Sequence, residues 1–365
     1  MTDVKLMLIH YICAEDVHIM ERKCTLIDLF CGAGGMSYGF ELAGFQPVLA
    51  IDNWKDALDT YCYNNPDVPT VCADLSVVSP ESISIEYGIR DVDLIIGGPP
   101  CQGFSVAGKR LVDDKRNELY KSFVEFVRFF SPKMFVMENV PNILSIGAGT
   151  VKNEIIRDFE LLGYNVVYKV LTASDFGVPQ NRKRAIFVGC KNAQYNFPVA
   201  LVTDKVTASD AISDLPENSV VDGMDYTIAA STDYQKWARS KSKGVHNHET
   251  TAHNEKTRQI ISMVPDGGNY KNLPLELRET RKVHIAWTRL NSEKPSITID
   301  TGHRHHFHYL FNRIPTVREC ARIQSFPDHY IFFKSKTSQY KQVGNAVPPL
   351  MAKAIAEEVI KVIKK

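Results

Sequence analysis

Between residues 25 and 189 the chain repeats one unit: a short, largely β-branched apolar run, a turn, and then an amphipathic stretch. Residues 25–30, 47–52, 71–74, 92–96, 134–139, 166–171 and 184–189 read as strands. Residues 37–44, a stretch reaching Tyr63, 118–130 and 151–162 read as helices; in 118–130, Leu119, Phe123, Phe126, Val127 and Phe130 share one face. Strands alternating with helices predict a parallel, doubly wound α/β sheet. Ligands of such sheets sit beyond the carboxyl ends of the strands. The residues that close each strand are therefore the ones to examine.

The first strand runs into Cys31-Gly32-Ala33-Gly34-Gly35-Met36, a turn whose glycines let backbone amides approach a nucleotide-like ligand. It lacks the full dinucleotide fingerprint, because Phe30 stands where that pattern begins with glycine. Asp52 closes the second strand at the spacing expected of a ribose-hydroxyl acceptor. Asp74 closes the third and could take an amino group on an adenine ring, or be a solvated turn residue. The fourth delivers Gly97-Gly98-Pro99-Pro100-Cys101-Gln102-Gly103-Phe104-Ser105. A thiol fixed on that loop is a candidate nucleophile, against the alternative of a small apolar side chain in a turn. Glu138 ends an otherwise apolar strand, where a carboxyl can serve as a proton donor or as a structural ion pair. Arg182 and Arg184 alternate just before a strand, so their guanidiniums point the same way, toward an anionic group or toward solvent.

Composition removes other classes. A net charge of +1 over 365 residues carries no global signature of a polyanion partner, so any basic surface is local. Eight scattered cysteines, none in a C-x-x-C pair, argue against a disulfide framework or a zinc site and for a reducing cytoplasm. No run approaches the roughly 20 apolar residues that span a bilayer, and residues 1–23 lack a secretory apolar core and receive no role. After Cys190 the pattern changes. Residues 231–317 hold 14 Lys and Arg against 8 Asp and Glu, and 191–317 hold eight of the eleven histidines. Residues 191–312 are therefore expected to form a smaller, irregular unit, after which helices at 316–325 and 351–363 resume the globular pattern. His303, His305, His306 and His308 lack cysteine or carboxylate partners nearby, and no metal site is expected.

Six motifs in one order give these pieces a common source. They are Asp28-Leu29-Phe30-Cys31-Gly32-Ala33-Gly34-Gly35, then Gly98 through Ser105, Glu138-Asn139-Val140, and Gln180-x-Arg182-x-Arg184. Arg318-x-x-x-Arg322-x-Gln324-Ser325-Phe326-Pro327 and Gly344-Asn345-Ala346-Val347-Pro348 complete the set. The chain resembles a DNA (cytosine-5)-methyltransferase of the bacterial restriction–modification type, over residues 24–365 apart from a variable middle.

The resemblance implies a Rossmann-like catalytic domain over 24–190, completed by 313–365, and a target recognition domain over 191–312. It implies S-adenosylmethionine as cofactor, held by Phe30, Gly32, Gly34, Asp52, Asp74, Pro100, Leu119 and Asn345. Either Asn53 or Trp54 would cover the adenine. It further implies that Cys101 adds to C6 of a flipped-out cytosine, that Glu138 holds the ring at N3 and N4, and that Arg184 fixes the base oxygen with Arg182 beside it. Residues 102–109 would close over the base, with Ser105, Lys109 and Arg110 near phosphate. Arg239, Arg289 and Arg304 would face duplex DNA. A monomer acting beside a separate cognate endonuclease is the expected setting. Three other readings share parts of the pattern: a transfer-RNA methyltransferase on the same fold, a DNA binder without catalysis, and a nicotinamide-dependent dehydrogenase. The tripeptide Gly103-Phe104-Ser105 and the long middle region favour DNA over RNA, and the presence of Cys101, Glu138 and the glycine turn favours catalysis.

Overall fold

The structure, a computed structural model, describes residues 22–100, 118–201, 204–278, 287–301 and 306–365. Its strands are β1 (Thr25–Leu29), β2 (Gln46–Asp52), β3 (Thr70–Cys72), β4 (Leu94–Gly97), β5 (Met134–Asn139), β6 (Asn165–Thr172) and β7 (Lys183–Cys190). They form one sheet in the order β3-β2-β1-β4-β5-β7-β6. The helices of the first half are α1 (Gly35–Leu42), α2 (Lys55–Asn64), α3 (Pro80–Tyr87), α4 (Glu118–Phe130) and α5 (Thr150–Glu160). Those of the second are α6 (Ala208–Ile212), α7 (Asp233–Arg239), α8 (Glu255–Ser262), α9 (Leu275–Arg278), α10 (Val317–Ile323), α11 (Lys336–Asn345) and α12 (Pro349–Ile363). A two-residue pair, β8 (Thr288–Arg289) with β9 (His306–Phe307), makes a second small sheet.

β1 to β5 pair in parallel, but β7 runs antiparallel to both β5 and β6, which corrects the expectation of a wholly parallel sheet. The reason is chain length. Only residues 173–182 join β6 to β7, and a parallel return needs a crossover of a dozen residues or more.

Side chains of the central strands alternate between two buried faces. Leu26, Leu94, Ile96, Met134, Val136, Ile186 and Val188 pack with α1 and α12. Ile27, Ile95, Phe135, Met137 and Phe187 pack with Phe123, Phe126 and Val127 of α4 and Ile155 and Phe159 of α5. The C-terminal helix α12 shares this core with Leu26 of β1 and lies against α1, so closely that a Cβ on Gly39 would stand 2.4 Å from Cβ of Ala352. Neither α3 nor α11 was anticipated. α3 buries only Ile83, so its apolar pattern is faint, although Ser79 caps it, Pro80 starts it and Gly88 ends it in the left-handed conformation.

The region after Cys190 divides its packing. Tyr195 joins the α1–α12 layer, and residues of α6 and α7 share a core with α10 and α11. A separate small core gathers Ile260, Ile261, Val264, Leu273, Trp287, Phe307 and Ile314. A buried ion pair from Arg322 of α10 to Asp214 fastens the two parts of the chain, while Arg322 with Asp328 and Arg313 with Glu319 form local buried pairs.

Candidate active site

A cavity of about 670 Å³ opens where β1, β2, β4 and β5 end and β7 begins. Its first wall is the glycine turn. Phe30, Gly32 and Gly34 all take positive φ, which lets the chain reverse from β1 into α1. A Cβ on Gly32 would meet nothing within 4 Å, so this backbone faces the cavity. Gly34, expected to line the cofactor, is not part of the wall; its α carbon abuts the Tyr330 hydroxyl and the Tyr61 ring, and a Cβ there would be 2.5 Å from the former.

Asp52 clamps this turn to the end of β2. One carboxylate oxygen accepts the amide of Gly32 and the other that of Trp54, each at 2.8 Å. Burial raises its affinity for a proton above the ordinary carboxylate range, and the amides pull the other way. Asn53 and Trp54 both reach the wall, and the Lys341 ammonium lies 4.6 Å above the Trp54 ring. Asp74 sits two residues past β3 and accepts the Ser76 amide (2.9 Å) and hydroxyl (2.8 Å) through Oδ1. Leu119 of α4, Pro100 and Asn345 at the end of α11 complete the set of expected cofactor residues on this wall.

The facing wall holds Glu138, Arg182 and Arg184. Nε of Arg184 lies 2.6 Å from Oε1 of Glu138, both side chains being only 13–14% exposed. The antiparallel register makes this meeting. Glu138, next to last in β5, pairs with Ile186, two residues past Arg184 on β7. Gly98 gives the carboxylate its room, since a Cβ there would stand 2.9 Å from Oε2. Nδ2 of Asn139 donates to the carbonyl of Pro99 at 2.9 Å, pinning the segment that leads into Cys101. Arg182 is almost wholly buried in the wall, with Nη2 3.5 Å from the Asn345 carbonyl. Burial, helped by the Arg184 guanidinium, pulls it down to about 9.

The wall also holds residues that sequence reasoning missed: Asp28, Asn139, the run Thr298 to Thr301, and Lys341. Asp28 lies on β1 beneath the glycine turn, with Oδ2 accepting Ser37 Oγ at 2.6 Å, and burial pushes its carboxyl up to about 8. The run at 298–301 was hidden by its plain composition; the amide of Ile299 donates to the buried side chain of Gln180, which also bonds Gln324. Gln324 in turn donates to the Ala346 carbonyl at 2.5 Å, so three of the sequence motifs are tied through one chain of amides.

Two basic residues expected on a nucleic-acid surface do not stand there. Arg289 is buried and donates to the carbonyls of Val264 (2.7 Å), Ile261 (2.6 Å) and His308 (3.0 Å) and to the Asn312 side chain (2.8 Å). Its donors are consumed in holding the small core together. Arg239 pairs with Asp214, donates to the Ile228 and Asp214 carbonyls at 2.8 and 2.9 Å, and lies 3.9 Å above the Tyr226 ring. Cys101, Ser105, Lys109, Arg110 and Arg304 lie outside the described residues. Among those described, no group of three His, Cys, Asp or Glu could hold a metal ion, and no helix is long and apolar enough to cross a membrane.

Comparison with known proteins agrees with this geometry. The model of the family "C-5 cytosine-specific DNA methylase" matches residues 24–361. Type II methyltransferase M1.HphI of Haemophilus parahaemolyticus is 42% identical over 92% of this chain and 87% of its own. Type II methyltransferase M.DdeI of Desulfomicrobium norvegicum is 40% identical over 92% of this chain and 88% of its own. Among solved structures, a DNA modification methyltransferase encoded within a prophage (E. coli) superposes with a TM-score of 0.79 at 27% identity, covering 94% of this chain and all of that one. With the glycine turn, the Glu138–Arg184 pair and the Pro99-Pro100 segment on one cavity, the chain belongs to the C-5 cytosine-specific DNA methylase family.

Proposed function

We propose that this DNA (cytosine-5)-methyltransferase takes its methyl group from S-adenosylmethionine and delivers it to a cytosine flipped out of duplex DNA. The observation that carries the reading is the single cavity on which cofactor-type and base-type residues meet. Its first wall suits an adenosine: Gly32 leaves backbone bare, Asp52 and Asp74 offer acceptors, and Phe30 and Trp54 offer aromatic faces. When bound, the cofactor supplies an electrophilic methyl group. The protein must then supply a nucleophilic carbon, and cytosine C5 is a poor one.

Cys101, following Pro100, would add its thiolate to C6, which makes C5 enamine-like. Glu138, already held by Arg184 at 2.6 Å, would bond N3 and N4 of the ring and stabilise the charge that develops as sulfur adds. Arg184 would fix the base oxygen while orienting that carboxylate. C5 then takes the methyl group, its proton passes to a water, and the C6–sulfur bond breaks to return the thiolate and release the methylated base. Stacking hides C6 in a duplex, so the base must swing out at a cost of about a few kcal/mol, which contacts to DNA offset.

Ser105, Lys109, Arg110 and Arg304 are the proposed phosphate contacts. Residues 191–312 are the proposed target recognition domain, and 24–190 with 313–365 the catalytic one. The kinship with Type II methyltransferases supports a monomer that protects a short DNA sequence in the cytoplasm beside a separate endonuclease.

The test is labelled-methyl transfer from S-adenosylmethionine to unmethylated genomic DNA, followed by bisulfite sequencing. Modified cytosines within one short motif are expected. Label appearing in transfer RNA and not in DNA overturns the substrate, and no transfer to either overturns the reading.

A further inference from the structure

Gln180 and Gln324 are fully buried, do not line the cavity, and stand behind the point where three of its wall segments converge. The first segment carries Arg182 and Arg184. The second, 298–301, enters from the middle region and is tied alongside the first. The Asn181 amide donates to the Ser296 carbonyl at 2.8 Å, and the Ser296 amide to the Pro179 carbonyl at 2.9 Å. The third is the end of α11, which bears Asn345. It rests directly on the second, since a Cβ on Gly344 would stand 2.0 Å from the Asp300 carbonyl.

Three hydrogen bonds cross this junction in series. The Ile299 amide donates to Gln180 Oε1 at 2.9 Å, Gln180 Nε2 donates to Gln324 Oε1, and Gln324 Nε2 donates to the Ala346 carbonyl at 2.5 Å. A main-chain amide only donates and a carbonyl only accepts, so the two ends fix how both side chains lie. Turning either one would set donor against donor and acceptor against acceptor. Pro348 and Pro349 bring no N–H to the end of α11. The carbonyls of Asn345 and Ala346 therefore take their donors from outside the helix, from Arg182 at 3.5 Å and from Gln324.

We infer that Gln180 and Gln324 are positioning residues that hold the cofactor side of the cavity in register with its base side. The inference rests on the reading of the cavity as the shared site of S-adenosylmethionine and a flipped cytosine. Methyl transfer passes directly between two groups held on different walls, and a misplacement of about 1 Å in such a pair costs about 10²-fold. Bonds in series polarise one another, so a ligand settling against Asn345 and Ala346 is felt at Ile299.

Methionine has nearly the length and shape of glutamine and none of its hydrogen bonds, which makes Gln180→Met and Gln324→Met the test in the full chain. Single-turnover transfer to unmethylated genomic DNA, counted per site that binds S-adenosylhomocysteine, should fall about 10–100-fold in each. Affinities for cofactor and DNA should change little, so the loss sits in the chemical step. The double variant should be no slower than the worse single, because the two bonds act as one chain. Gln324→Glu keeps the acceptor for Gln180 and, when protonated, the donor for Ala346. Its rate relative to wild type should recover as pH falls, and that of Gln324→Met should not. A readout without turnover is amide hydrogen exchange: S-adenosylhomocysteine should slow exchange across 296–301 in the wild-type protein and in neither Met variant.

Wild-type transfer rates in the Met variants, losses that multiply in the double variant, or protection of 296–301 that survives either substitution each overturns the inference and leaves the cavity assignment standing. A wild-type protein that neither binds S-adenosylhomocysteine nor transfers methyl groups overturns the assignment itself.

Discussion

Glu138 and Arg184 hold each other before any substrate arrives, with both side chains mostly shielded from water. In the proposed reaction such a pair is a charge array set in advance for charge that develops on the base, where preorganisation has its largest effect. Replacing Glu138 by Gln keeps the size and removes the charge, so methyl transfer should fall by about 10²–10³-fold while cofactor affinity stays put. Single-turnover transfer and calorimetry check the two halves. Cys101→Ala, measured alongside, should abolish transfer and keep DNA binding. That Glu138 and Arg184 would stand at strand ends was legible in the sequence, because apolar runs mark the strands and each charged side chain sits at the edge of one. Arg239 and Arg289 were misread for the opposite reason. A basic count over a segment records how many guanidiniums there are and not whether they face solvent or the carbonyls of their own chain.

At the level of elements, the sheet depends on one fit between neighbours. Phe135 of β5 stacks on Phe159 at 3.9 Å and meets Phe123 and Tyr164 edge-on, and it lies across Gly189 of β7. A Cβ on Gly189 would stand 2.0 Å from this ring. Gly189→Ala must push the aromatic stack aside, and overpacking of this kind costs about 1–3 kcal/mol; the melting temperature should drop by several degrees. Wild-type melting would show that the stack yields freely. Residues 118–130 and 134–139 came through with the same bounds as α4 and β5, because their apolar residues follow one period without interruption. The direction of β7 did not. Periodicity tells which face a side chain occupies, and an antiparallel strand has the same period as a parallel one. α11 was missed because its buried face mixes polar with apolar residues, Ser338 and Gln342 beside Tyr340 and Val343.

For the molecule as a whole, the buried carboxyl of Asp28 links stability to pH. Its value is raised from near 4 in an unfolded chain to about 8, so between these limits the folded state holds a proton that the unfolded state has lost. Stability therefore declines as pH rises from about 4 to about 8 and levels off beyond. Asp28→Asn should accordingly raise stability at pH 8, by on the order of a few kcal/mol, and change it little at pH 4. Denaturant melts of both proteins at the two pH values measure this, and a variant that gains nothing at pH 8 would remove the linkage. At this scale the order of six motifs was enough to anticipate a single cavity, but not the sharing of side chains after Cys190 between two cores. That sharing is decided by contacts between segments a hundred residues apart, such as Arg322 with Asp214.

One wall of the cavity draws on both Phe30 and Asn345, and α12 beyond it seals the apolar face of α1. On a ribosome adding roughly 5–20 residues per second, the glycine turn waits tens of seconds for the segment that completes it. Until then the nascent chain carries Met36 and Phe40 uncovered and has no closed place for a nucleoside. Premature termination anywhere before α11 therefore yields a chain whose cavity lacks Asn345 and its neighbours, and whose α1 lacks the cover of α12. Translation itself acts as the checkpoint: the cavity closes only after α11 has left the ribosome.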